Sequence, residues 1–214
     1  MPEPLLRDAA PPVSGADHSA GMEAARQYQR LDLFQVPAGF RGRSKAVVQL
    51  WWLVQATLFA MSPQILYGWR ASLLRMFGAK IGRGAIIRAS VKTPYPWRLN
   101  IGDHCHIGDD VCLYTYGEIE IGAHSVISQR SYLCAGSHDY TRPTFDLIAE
   151  KITVGPEVWV ATDVFVAPGV TIGRGAVIGA RSSVFRDVPG GTVSVGTPAK
   201  VVGDRKMKSE RASL

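Results

Sequence analysis

The sequence predicts an all-β solenoid, a parallel β-helix of about five turns, with a helical region before it and one loop protruding from it. Three observations carry this. Aliphatic residues recur every six positions, at Ile101, Ile107 and Leu113, at Ile121, Ile127 and Leu133, and without a break at Val154, Val160, Val166, Ile172, Ile178 and Val184. The next position is commonly small, as at Gly102, Gly108, Gly122, Gly155, Ala161, Ala167, Gly173 and Gly179. The fifth is small or Val nearly throughout, from Cys105 and Val111 to Ser182 and Val188. Such a unit is a short strand and a tight corner, with the lead aliphatic inward and Gly available where the corner needs a positive φ. Three units close a triangular turn. One turn cannot bury its own core, so successive turns must stack their lead residues into a continuous aliphatic column.

Taken in chain order, the sequence divides into a tail at 1–30, a helical region at 31–80, the repeat domain at 81–203 and a short basic tail at 204–214. Between Lys45 and Arg70 the helical region holds an uncharged run with Val47, Val48, Leu50, Trp51, Trp52, Leu53, Leu58 and Phe59. It reads as helix as far as Ser62 and Pro63. Gln49, Gln55, Gln64 and Pro63 argue against a membrane span. Arg41, Arg43 and Lys45 beside Trp51 and Trp52 leave a peripheral membrane contact through 45–70 open. Ile81 and Ile87 predict a partial turn ahead of Ile101, distorted by the Pro94-Tyr95-Pro96 corner. Between Ile121 and Val154 the spacing exceeds one turn by fifteen residues. These are expected to project from the prism at 139–153, as long insertions in compact domains usually serve a function.

Composition narrows the function. The 214 residues carry a formal net charge of +6, partly from Lys200, Arg205, Lys206, Lys208 and Arg211 near the end. That balance suits an anionic ligand, but no aromatic residues interleave with those charges, so nucleic acid is not an expected partner. Cys105, Cys112 and Cys134 are odd in number and form no C-x-x-C pair, which argues against a disulfide framework. The beginning of the chain lacks the apolar core of a secretory signal. A cytoplasmic location is expected.

Few residues combine chemistry with a favourable place. His138 stands where the predicted loop departs, and a neutral imidazole takes a proton from a hydroxyl at physiological pH. His104 and His124 occupy the fourth position of equivalent units and should stack as neighbours. A third ligand at the matching place is lacking, because the next turn offers Glu157, so a surface pair is expected and no metal. Cys134, four residues before His138, raises a covalent acyl-thiol route as an alternative, although it occupies a packing position.

The stretch 154–184, followed by Asp187-Val188-Pro189 and Gly196-Thr197-Pro198-Ala199-Lys200-Val201, resembles the coenzyme-A-binding half of the hexapeptide-repeat acetyltransferases. Residues 127–140, ending in Ser137-His138-Asp139-Tyr140, resemble the colanic acid acetyltransferase branch. The resemblance implies a left-handed hand for the coil and a homotrimer with active sites between adjacent prisms. It implies acetyl-CoA as co-substrate, a sugar or glycan hydroxyl as acceptor, and His138 as catalytic base. It places Trp159, Thr162 and Ala180 along the pantetheine channel and Lys200 near the nucleotide phosphates. Arg181 and Phe185 depart from the small or polar residues often seen there. Asp139 departs from the Pro that galactoside and maltose acetyltransferases commonly carry, so their acceptor pockets are not carried over. Two other classes fit the same scaffold: a metal-dependent hydratase of the carbonic anhydrase type, which needs three converging histidines, and a non-catalytic assembly scaffold, which needs no coenzyme A.

Overall fold

A computed structural model describes residues 28–208. The expected tail at 1–30 lies outside the described residues except for its last three, and so do the final six residues of the basic tail.

Three parallel sheets form the faces of a triangular prism. The first face stacks Lys80–Ile81, Leu99–Ile101, Ile119–Ile121, Ile152–Val154 and Thr171–Ile172. The second stacks Ile86–Ile87, His106–Ile107, Val126–Ile127, Trp159–Val160, Val177–Ile178 and Thr192–Val195, and Lys200–Asp204 closes it antiparallel. The third stacks Cys112–Tyr114, Tyr132–Cys134, Phe165–Val166 and Ser183–Val184. Because the second face begins at Ile86 and runs on to Val195, the coil reaches about six turns.

The lead residues behave as their period demands. Ile101 is in register with Ile121, Ile121 with Val154 and Val154 with Ile172, and all four are buried. The two extra aliphatic units also join the coil, with Ile81 beside Ile101 and Ile87 beside Ile107.

The corner differs from expectation. Positive φ falls on the fourth position of the unit, at His104 (55°), Asp110 (57°), His124 (60°), Arg130 (59°), Glu157 (61°), Asp163 (57°) and Arg181 (59°). None of these seven is glycine, so coil closure overrides a local preference that costs roughly 1–2 kcal/mol per residue. The small second position has another cause. A Cβ added at Gly102 would lie 2.5 Å from the Ala123 nitrogen of the next coil. Close backbone approach, and not a left-handed φ, demands glycine there.

Helical structure begins later than the region 31–80 suggests. Residues 28–44 form a non-helical strap with a 3-10 turn at Leu31–Leu33 and hydrogen-bonded turns at 37–42. Helix α1 spans Lys45–Val54, capped by the Ser44 hydroxyl, and continues through a π turn at Gln55–Phe59. After Pro63, helix α2 spans Tyr67–Met76. Trp51 and Phe59 are buried in the same core as the coil. Arg70, fully buried, fastens the arrangement: Nε donates to the Ile87 carbonyl at 2.6 Å, Nη1 to Ser62 Oγ and the Pro63 carbonyl, and Nη2 to the Gln64 carbonyl. No helix among the described residues is long and apolar enough to cross a membrane.

The insertion after His138 is more ordered than a loop. Gly136–His138 pairs antiparallel with Leu147–Ala149, His138 opposite Leu147, so a hairpin leaves the prism. Its return extends only to Ala149; Ile152 is already buried beside Ile119 in the first face. The excursion is therefore shorter than 139–153, because pairing satisfies backbone groups that a free loop would leave to water.

Candidate active site

His138 ends the outgoing hairpin strand and is half-buried. Its Nδ1 lies 2.8 Å from the Phe145 carbonyl oxygen, which can only accept. Nδ1 therefore carries the hydrogen, and in the neutral ring Nε2 presents a lone pair. The same residue holds the imidazole face: Phe145 stacks on it with centroids 4.2 Å apart and planes 10° apart, and Phe34 approaches to 5.7 Å. Phe145 is itself held at φ 52°, its amide bonded to the Arg142 carbonyl. A bulky residue in that region is strained, and here the strain aims a carbonyl at His138.

Sequence reasoning missed Phe145 and Phe34. Neither lies in the six-residue period, and nothing in an aromatic side chain announces a left-handed backbone. The strap that brings Phe34 over the hairpin is fastened by the Arg30 amide, which donates to the Pro143 carbonyl at 2.7 Å.

Asp139 builds the hairpin turn. Its carboxylate accepts from the Thr141 amide and hydroxyl, which lowers its pKa below the usual carboxylate value. Cys134 donates its thiol to the Gly136 carbonyl, and burial pushes its pKa up. A thiol kept protonated is a poor nucleophile, which disfavours the acyl-thiol route.

The expected coenzyme A residues gather elsewhere. Thr162 and Ala180 occupy equivalent places in successive turns at the corner between the second and third faces, and the Arg181 amide donates to the Thr162 carbonyl at 2.9 Å. The amides of Thr162 and Ala180 donate to no acceptor among the described residues. The Thr162 hydroxyl donates to the Gln129 carbonyl at 3.0 Å, and Arg130 grips Asp163 through two bonds of 2.7 and 2.9 Å. Trp159 stands half-exposed on the second face, its indole N–H donating to Ser128 Oγ. Lys200 opens the antiparallel closing strand, opposite Val195.

His138 is not beside them. It lies past the third face, at the corner leading to the first, whereas Thr162 and Ala180 lie before the third face. One chain therefore brings Trp159, Thr162 and Ala180 to a common edge but separates them from His138 by the width of a face. A cavity of about 530 Å³ beside the hairpin is lined by Phe40, Trp97, Arg98, Tyr116, Glu118 and Ala149, among others, and His138 does not line it.

The histidine pair stacks as its spacing predicts, His104 and His124 having centroids 5.2 Å apart and planes 19° apart. Among the described residues no three His, Cys, Asp or Glu side chains converge as a metal site would require.

No family model matches the chain. It is 62% identical over 177 residues to the WcaF protein of Escherichia coli (strain K12), which is named as a colanic acid biosynthesis acetyltransferase; the match covers 83% of this chain and 97% of that protein. Its fold resembles a hexapeptide-repeat acetyltransferase of Vibrio cholerae O1 biovar eltor solved with acetyl coenzyme A. The TM-score is 0.70 and the identity 26%, over 76% of this chain and 89% of the other. A galactoside acetyltransferase solved with coenzyme A superposes with a TM-score of 0.63 and 25% identity, over 80% of this chain and 92% of its own. The shared architecture is the left-handed parallel β-helix.

Proposed function

The chain belongs to the colanic acid acetyltransferase family of hexapeptide-repeat enzymes, and on that premise we propose that it moves an acetyl group from acetyl-CoA to a sugar hydroxyl in exopolysaccharide or envelope glycan biosynthesis. The observation that carries the chemistry is the Phe145 carbonyl on His138 Nδ1, which leaves Nε2 as the basic atom.

In this reading Nε2 takes the proton of the acceptor hydroxyl as its oxygen attacks the thioester carbonyl. The unpartnered Thr162 amide donates to the oxygen on which negative charge develops. Collapse of the tetrahedral species breaks the carbon–sulfur bond, and the departing thiolate recovers the proton from His138. Trp159 and the Ala180 amide line the pantetheine path, and Lys200 neutralises phosphate at its far end.

The two halves of this site lie at different corners of one prism, so a second copy must complete it, with His138 facing the partner subunit's Thr162. A homotrimer satisfies this with three equivalent sites. The third face supports it: Tyr114, Tyr132, Phe165 and Phe185 form a half-buried row of rings whose neighbours lie 5.8 to 6.1 Å apart, an apolar surface suited to a subunit contact. We assign catalysis to 81–203, support to 31–80, and a basic tail to 204–214, although Arg205 still donates to the Glu157 and Gly175 carbonyls. The enzyme is placed in the cytoplasm, where acetyl-CoA and activated sugars meet.

The test is His138→Ala assayed with acetyl-CoA and a panel of envelope glycans. Turnover should fall by about 10²- to 10⁴-fold, mainly in kcat, with coenzyme A binding retained. Near-normal kcat in this variant together with an inactive Cys134→Ala would replace direct transfer by an acyl-enzyme.

A further inference from the structure

Helix α1 buries Val48 and Trp51 against the prism and turns Leu50 and Leu53 outward, 52% and 62% exposed. Beyond the π turn Met61 and Ile65 are 79% and 82% exposed, with Leu58 and Trp69 uncovered as well. Scattered apolar side chains on a surface mean little, but these six uncovered ones within the twenty residues from Leu50 to Trp69 mark an interaction face.

Charge identifies the partner. Residues 34–102 contain ten Lys and Arg and no Asp or Glu. The first carboxylates beyond this stretch, Asp103 and Asp109, are already engaged by Arg83 and Arg88. Arg43 and Lys45 flank the start of α1, are exposed, and form no salt bridge among the described residues. The first turn of α1 has no acidic residue, so their charge adds to the positive end of the helix dipole. Arranged this way, the site costs the isolated helix stability and gains only when negative charge is brought to it. A second copy would set like charge against like, which opposes self-association through this face. Trp52 and Trp69 complete the pattern. Each is partly exposed, with its indole N–H bonded to a carbonyl, of Pro94 and Leu58 respectively. Such rings favour the boundary between water and hydrocarbon.

We propose that this face docks on an anionic phospholipid surface. Helix α1 lies in the plane of the interface, Leu50 and Leu53 enter the acyl boundary, and Arg43 and Lys45 meet lipid phosphates. The helix is too short to span, so docking is reversible. The inference does not depend on the transfer chemistry, because none of these residues belongs to the proposed site.

The experiment floats the full chain with vesicles of equal parts phosphatidylglycerol and phosphatidylcholine, and with vesicles of phosphatidylcholine alone. Each Lys or Arg near an anionic surface contributes roughly fivefold in partitioning, so binding should favour the anionic vesicles by at least about tenfold and fall as salt is raised. Both Arg43→Glu/Lys45→Glu and Leu50→Glu/Leu53→Glu should cut binding by at least about tenfold. Their circular dichroism, native mass and acetyl transfer to a soluble acceptor should be unchanged. The proposal is overturned if the chain stays unbound, if it binds both vesicle types equally, or if the Leu50→Glu/Leu53→Glu variant floats like the parent. A change of native oligomer in that variant would also overturn it, by assigning the face to a subunit contact. An unsubstituted chain that docks on the anionic vesicles but transfers no acetyl group would count against the transfer reading instead.

Discussion

At the scale of the residue, the lesson of this structure is how much one backbone carbonyl decides. The position of His138 at the base of an insertion is readable from the spacing alone. Its tautomer is not, because it depends on Phe145, which reaches it across a hairpin turn that no periodicity describes. The cysteines are easier to interpret once placed. Burial pushes the Cys112 thiol up to about 11 and raises Cys105 and Cys134 as well, while burial also raises Tyr114 and Tyr132. All five groups are acids whose neutral form the fold prefers. Below the ordinary thiol value of about 9 both folded and unfolded chains keep these protons. Above it the unfolded chain loses them first, so stability must fall as pH rises through that value toward 11. Thermal melts taken at intervals from neutral to strongly alkaline pH should show this decline, and the Cys112→Ala variant should flatten part of it. A melting temperature that stays level across that window would refute the assignment.

At the scale of the element, strands and helices were legible to different depths. Every lead aliphatic from Ile81 to Val184 points inward because the same demand repeats each turn, and repetition lets a weak signal accumulate. The left-handed fourth position stayed hidden because Arg130, Glu157 and Arg181 advertise no such conformation. The role of Arg70 was equally hidden, since an arginine at the end of an apolar run reads as a surface residue. Its four bonds to Ile87, Ser62, Pro63 and Gln64 join the turn between the helices to the coil without any carboxylate. Arg70→Met should leave buried carbonyls unpartnered and destabilise the protein by about 3 kcal/mol or more. For a domain of this size that is a melting temperature lower by roughly 6–12 °C. Arg70→Lys should not restore it, because a single ammonium cannot span the fork. Recovery with lysine would mean that charge alone, and not geometry, holds the joint.

At the scale of the whole molecule, the separation of His138 from Thr162 and Ala180 makes assembly a requirement of the proposed chemistry. Two inactive proteins should therefore cure each other. His138→Ala removes the base, and Ala180→Trp obstructs the pantetheine path; each alone should be nearly inactive. Unfolded together and refolded in equal amounts, they should regain activity at about a quarter of the sites, those pairing an intact His138 with an intact Ala180 from a neighbour. No recovery in verified mixed oligomers would place the whole site within one chain.

One feature at the end of the coil has a reach beyond the site. A stack of identical turns contains no instruction to stop, and the parallel edge left by its last strand is a template for the next molecule as much as for the next turn. Here the strand Lys200–Asp204 folds back against Thr192–Val195 in the opposite direction, with a shift in register between Val193 and Ser194. At the other end α2 packs over the first strands, and Arg70 occupies the Ile87 carbonyl. The second face is thereby given a fixed length at both ends, which removes the longest parallel edge that an end-to-end filament would need.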